Sequence, residues 1–357
     1  MIPRNTKNER IKKQYTEYLK HADGKSDLTI RQIEKAILRY ETFTKFGDFA
    51  KFDQKRAMEF KAHLSKANLA KATILSTITA LKRFFGWLAG QSNYKSKVNL
   101  NDVEFFSLSE KEIRAAKAPA ERAYPTLEQV VSVISQMPQE TAIERRNRAL
   151  IVFTAVTGIR DGAIISLKLR HVDAARRLVI QHPRDVATKG SKRIDTFFFP
   201  VAEQLSSIVL EWMDYLRDEL LCGGNDPLFP KTARSHDEFD CFVAESVSRE
   251  PWANAGPVRD IFKAAFAAAQ LPPYTPHSFR NMLVQQAYKQ CKTPEHFKAW
   301  SQNLGHESPL TTFTSYGKID LHRQGHLLLG GGQLDQETPI TRREFEQLLQ
   351  VLKDRDP

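Results

Sequence analysis

The residues best equipped for chemistry lie late in the chain: His277-Ser278-Phe279-Arg280, then Leu304-Gly305-His306, then Thr314-Ser315-Tyr316. An earlier Thr157-Gly158-Ile159-Arg160 offers a second arginine. Guanidinium groups clamp phosphates, imidazoles move protons or donate hydrogen bonds, and a tyrosine hydroxyl can be a nucleophile. That set suits chemistry on a phosphodiester without a metal. Each piece alone is weak, since most arginines on helical proteins are solvated or paired with carboxylates. The combination and its order carry the signal. His277 and Arg280 stand three apart, so a helix puts them on one face. Pro276 before them suits the first turn of that helix, where free N–H groups also favour an anion.

The elements that must hold these groups are mostly helical. Residues 1–28 are polar and read as a lead-in with at most one helix. Thr29 with Gln32 reads as a capping box for a helix that carries Ile30, Ile33, Ile37, Tyr40 and Phe43 on one side. Asp53 caps a second helix with Ala57, Phe60 and Leu64 inward. A third, over 71–89, spaces Ile74, Ile78, Leu81, Phe85 and Leu88 for one face, and Gly90 stops it. Apolar periodicity then fades, and Lys117-Ala118-Pro119-Ala120-Glu121 is linker-like. Thr126 with Gln129, and Thr141 with Glu144, are capping boxes for two further helices. Strand signals are confined to Arg177–Gln181 and Thr196–Phe199, joined by the basic turn Thr188-Lys189-Gly190-Ser191-Lys192. Helices resume with a stripe through Leu205, Ile208, Trp212 and Leu216, and an alanine-rich helix around 264–269 ends at Pro272-Pro273. Beyond Gly330-Gly331-Gly332, Thr341 and Glu344 open a last amphipathic helix with Phe345, Leu348, Leu349 and Leu352. It either folds back or docks on a neighbouring protomer.

Composition narrows the partners. At 357 residues with 41% hydrophobic and 27% charged content, the chain has material for two packed domains. Its net charge of +11 favours a polyanion. Between residues 51 and 100 stand ten bases against two acids, a net +8, so most of the charge excess sits on the early helices. Lys66, Lys71, Lys82 and Arg83 belong to that group and are candidate DNA contacts, with Lys192 and Arg193 of the later basic turn. Cys222, Cys241 and Cys291 are far apart with no CxxC pair, which argues against a zinc site or a disulfide framework. The start of the chain lacks a signal-peptide run, and no apolar stretch approaches the ~18 residues of a membrane span. A soluble, cytoplasmic protein is expected.

With the ordered series in place, the chain resembles the tyrosine recombinase (phage integrase) family over most of its length. The family's signature of Arg, Lys, His-xx-Arg, His and Tyr reads here as Arg160, Lys189, His277, Arg280, His306 and Tyr316. The resemblance implies a mainly α protein with a small antiparallel β-sheet. Residues 1–106 would form a helical core-binding domain, 107–124 a linker, 125–330 a mixed α/β catalytic domain, and 331–357 a tail. It implies a site-specific DNA recombinase or integrase, of mobile elements among other settings, acting on double-stranded DNA sites as a tetramer with no cofactor or metal. Tyr316 would attack the scissile phosphate and leave a 3′-phosphotyrosine, with His277 taking the proton. Arg160, Arg280 and His306 would stabilise the phosphoryl oxygens, and Lys189 would protonate the leaving 5′-oxygen; Lys192 shares its loop.

Three departures stand out. The family often has a carboxylate three positions after its first arginine, where this chain has Ala163 and places Asp161 nearby. Asn281 stands where histidine is common, and Tyr316 follows His306 by ten positions instead of the usual nine. The competing readings are a sequence-specific DNA-binding protein without turnover and a type IB topoisomerase-like enzyme.

Overall fold

Short polar side chains write most of the helix starts in this protein. In the computed structural model, which describes residues 5–118, 123–201, 203–236 and 242–306, Asn5, Ser26, Asp53, Ser109, Thr126, Thr141 and Thr293 each accept a hydrogen bond from a backbone N–H of the helix they precede. The chain divides into two compact units, Met1–Ala118 and Pro119–Pro357.

The first unit is all helical: α1 (Thr6–His21), α2 (Asp27–Phe43), α3 (Gln54–Lys66), α4 (Lys71–Ala89), α5 (Leu100–Val103) and α6 (Glu110–Lys117). Its core is aromatic. Tyr40 lies among Phe49, Phe52, Phe60, Phe85 and Phe106, and Phe52 stacks on Phe85 at 4.0 Å. Three local expectations need amending. α2 starts two residues earlier than Thr29, because Ser26 takes the cap and accepts from Thr29 N at 3.4 Å. The polar lead-in holds a full helix, α1, fastened by the buried Asn8. That amide donates to Glu41 Oε1 and Gly47 O and accepts from Phe49 N, while Lys12 reaches Glu41 at 2.7 Å. Asn8 works beside an apolar face at helical spacing, with Ile11, Tyr15 and Leu19 buried. Tyr94, Val98, Val103 and Phe106, from the stretch whose periodicity fades, are buried in the same core. α6, with a complete Ser109–Glu112 capping box, occupies part of the segment that reads as linker.

The second unit begins with α7 (Leu127–Gln136) and α8 (Ala142–Thr157), both opened by the expected capping boxes. Every residue of α8 from Ala149 to Thr157 is buried, so the second half of this helix runs through the centre of the unit. After the single turn α9 (Asp161–Ile164) come β1 (Val172–Asp173), β2 (Leu178–Gln181) and β3 (Ile194–Phe197), an antiparallel sheet in the order β1-β2-β3. β2 and β3 pair with Val179 opposite Thr196. α10 (Glu203–Asp218) packs on α8, burying Val209, Trp212, Met213 and Leu216. A second hairpin, β4 (Thr232–His236) with β5 (Phe242–Val247), was not legible, since β4 is polar and shows no apolar alternation. Among the described residues the unit continues with α11 (Gly256–Ala268), α12 (Pro276–Gln290) and α13 (Pro294–Asn303). The fold is thus mainly α with small antiparallel sheets. Among the described residues no helix is long and apolar enough to cross a membrane. Tyr316 and the tail over 331–357 lie outside the described residues.

Candidate active site

α8 delivers the first arginine through a turn that only glycine fits. Gly158, its C-cap, has φ +62°, and a Cβ there would come within 2.8 Å of Leu283 and 2.9 Å of Leu304. The chain reverses and sets Arg160 just before α9, half-exposed. Its guanidinium makes no hydrogen bond or ion pair among the described residues. Ala163, where the resembled family often has a carboxylate, is buried. Asp161 does not buttress Arg160 either. Its Oδ1 accepts from Gly162 N at 2.8 Å and its Oδ2 from Arg259 Nε at 2.7 Å.

α12 supplies the pair expected on one face. Pro276 occupies its first turn, Thr275 gives no side-chain cap, and His277 is exposed. Arg280 is 2% exposed and ties three elements together. It donates to Gly158 O and Leu304 O, each at 2.6 Å, and its Nη2 lies 2.8 Å from His306 Nε2. One buried guanidinium therefore joins the end of α8, the end of α13 and the second histidine. Because an arginine can only donate, His306 Nε2 is the acceptor and the ring is neutral. Burial, then the charges of Arg280, Arg160, His277 and Lys189, drive the His306 pKa down to about 3. The charges that reach this imidazole from Arg280, Arg160, His277 and Lys189 are all those of basic groups.

Lys189 arrives from the β2–β3 loop. Gly190 (φ +74°) and Ser191 (φ +52°) make the turn, and buried Val186 with the Ala187 N–H bond to Ser166 Oγ anchor the loop's first half. Lys189, Lys192 and Arg193 are exposed. Arg193 is tied to Asp195 at 2.9 Å, which raises its pKa. The loop is registered against His306 by a residue the sequence did not flag. Asn303, at the end of α13, accepts from Phe197 N at 2.7 Å and donates to Phe197 O at 2.9 Å. Its amide thus closes the free edge of β3 as a further strand would. Gly305 (φ +69°) then sits against Ile194 of β3, where a Cβ would come within 2.9 Å. No local pattern announces Asn303, because its partner is 106 residues away.

Five of the six expected catalytic residues are therefore brought together, and Tyr316 lies outside the described residues. The two other late tyrosines are packing groups. Tyr274 is buried edge-on to Phe266, and Tyr288 lies against Phe297 with its hydroxyl pKa raised by burial. In the first unit, Lys66 and Lys71 are exposed on either side of the α3–α4 turn. Lys82 instead pairs with Glu104 at 2.7 Å and Arg83 with Asp23 at 3.0 Å.

The family model of the phage integrase N-terminal SAM-like domain matches residues 13–92. The chain is 24% identical over 306 residues to a tyrosine recombinase XerC of Lactobacillus delbrueckii subsp. bulgaricus, spanning 85% of this chain and 92% of that relative. A tyrosine recombinase XerC of Bacillus pumilus is 24% identical over 224 residues, 62% of this chain and 68% of the relative. Among solved structures, XerH site-specific recombinase bound to palindromic difH substrate matches with a TM-score of 0.61 and 18% identity, over 89% of this chain and 84% of that one. A lambda integrase dimer bound to a COC′ core site gives 0.60 and 16%, over 88% and 99%. At such identities the solved structures speak to the fold. The fold is that of the solved recombinase and integrase structures, and the sequence is similar to tyrosine recombinases of the XerC type.

Proposed function

We propose that this protein cuts and rejoins double-stranded DNA through a covalent 3′-phosphotyrosine on Tyr316. The observation that carries the reading is the neutral His306 held by Arg280, with the basic groups of Arg160, His277 and Lys189 acting on it. A phosphodiester supplies the negative charge that such a site lacks.

In this scheme Tyr316 Oη forms a bond to phosphorus as the bond to the 5′-oxygen breaks. The phenolic proton, held at a pKa near 10 in water, passes to His277. Arg160 and Arg280 meet the non-bridging oxygens, whose charge grows in the pentacoordinate transition state, and His306 adds a hydrogen bond. Lys189 protonates the departing 5′-oxygen. The phosphotyrosine conserves the energy of the broken bond, so rejoining requires neither ATP nor a metal. A 5′-hydroxyl from another strand reverses the attack, and four protomers, one per strand, complete an exchange. The helical first unit would grip the duplex through Lys66 and Lys71, with Lys82, Arg83, Lys192 and Arg193 as further phosphate contacts. The tail over 331–357 would dock on its own or a neighbouring protomer.

The test is incubation with a nicked cognate site, which traps the adduct because the cleaved fragment diffuses away. Wild type should give a denaturant-resistant protein–DNA band, and Tyr316→Phe should give none. A band from Tyr316→Phe would overturn the assignment of the nucleophile. The missing buttress at Ala163 favours a second reading, DNA binding without turnover, and absence of any wild-type band on true sites would select it. Relaxation of supercoiled DNA with no site preference or recombinant product would select a topoisomerase instead.

A further inference from the structure

We propose that Arg259 is a positioning residue for Arg160, holding the neighbouring Asp161 carboxylate away from the phosphate site; this inference rests on the recombinase reading above. Arg160 and Asp161 are consecutive, and this adjacency is a hazard. A carboxylate and a phosphodiester compete for the same guanidinium geometry, and a carboxylate beside the site also repels the phosphate. Left alone, Asp161 would be the nearest anion to Arg160.

Both oxygens of Asp161 are instead engaged. Oδ1 takes the Gly162 N–H of its own turn, and Oδ2 takes Arg259 Nε at 2.7 Å from a helix 98 residues further on. Arg160, by contrast, has no carboxylate partner among the described residues. Arg259 is well placed to hold its charge, because Val258 and Phe262 on either side of it in α11 are fully buried. Phe262 also packs edge-on against Phe279 of α12 at 5.1 Å, so the packing that fixes Arg259 also fixes the helix carrying His277 and Arg280. The Arg259–Asp161 pair is electrically neutral and leaves the cationic set around His306 undiluted. The acid near the first arginine is neutralised from outside, and position 163, filled by a buried alanine, carries no acid at all.

The experiment measures the rate of covalent adduct formation on the nicked site, alongside equilibrium binding of the same DNA. Arg259→Gln should form adduct about tenfold more slowly and bind more weakly, the scale of one uncompensated charge beside a partly screened phosphate. Adding Asp161→Asn to Arg259→Gln should restore both readouts to within about twofold of wild type. Arg259→Lys, which keeps the cation, should lie close to wild type. An Arg259→Gln variant at the wild-type rate overturns the inference. So does a double variant no better than Arg259→Gln, because Arg259 would then act through DNA directly or through folding. Loss of adduct in the wild type itself would sink the recombinase reading and this inference with it.

Discussion

Gly158 is the position at which backbone conformation and site geometry meet, and replacing it with alanine should be costly. At φ +62° an L-residue with a Cβ loses about 1–2 kcal/mol. The new methyl would also stand 2.8 Å from Leu283 Cδ1 and 2.9 Å from Leu304 Cδ2. Both leucines are almost fully buried, so neither can swing clear, and overpacking of this kind costs about 1–3 kcal/mol. The two contributions together predict a loss of about 2–5 kcal/mol in the second unit. Gly162, four residues on, is the built-in control: its φ is not positive and nothing lies within 4 Å of its Cβ position. Gly162→Ala should be neutral or stabilising by up to about 1 kcal/mol. Urea unfolding followed by tryptophan fluorescence can compare them, since Trp212, Trp252 and Trp300, three of the four tryptophans, lie in that unit. A loss below about 1 kcal/mol for Gly158→Ala, or an equal loss for Gly162→Ala, would refute the reasoning. Because Gly158 O accepts from Arg280, adduct formation should fall with stability.

Two further outcomes are expected. His306 is neutral in the folded protein with its pKa depressed to about 3, whereas the unfolded chain takes up a proton below about 6.5; its stabilising contribution is therefore complete above that pH and drains away as pH falls towards 3. Between pH 6.5 and 5 this costs about 2 kcal/mol, and urea midpoints at the two pH values should show His306→Gln losing that much less than wild type; parallel losses would count against it. For DNA binding, Lys66→Gln with Lys71→Gln should reduce the slope of log affinity against log salt by about 1.8. Lys82→Gln with Arg83→Gln should reduce it less, because those cations already face Glu104 and Asp23, and an equal or larger reduction would place the phosphate contacts on α4 instead.

What the sequence by itself determined is local in character. The capping boxes at Thr126 and Thr141, the stripes of α3 and α4, and the β2–β3 hairpin are signals carried within a few residues, and the structure agrees with them, except that β3 is Ile194–Phe197 and not Thr196–Phe199. Each of Arg160, Lys189, His277, Arg280 and His306 stands in a recognisable short sequence context, and the structure places the other four near His306. Local signals failed where a strand lacked alternation, as in the β4–β5 hairpin. Only the tertiary structure decided how the chemical groups stand to one another. Arg280 became a buried tie between Gly158 and Leu304, Asn303 an edge clip on β3, and Arg259 the partner of Asp161. These bonds join residues 24 to 122 positions apart, and their donors and acceptors meet only once α8, α11, α12 and α13 have packed. Sequence periodicity specifies which face of an element is buried. Which distant backbone carbonyl or carboxylate lies opposite that face is set by packing, and here that packing gathered Arg160, Lys189, His277 and Arg280 around His306.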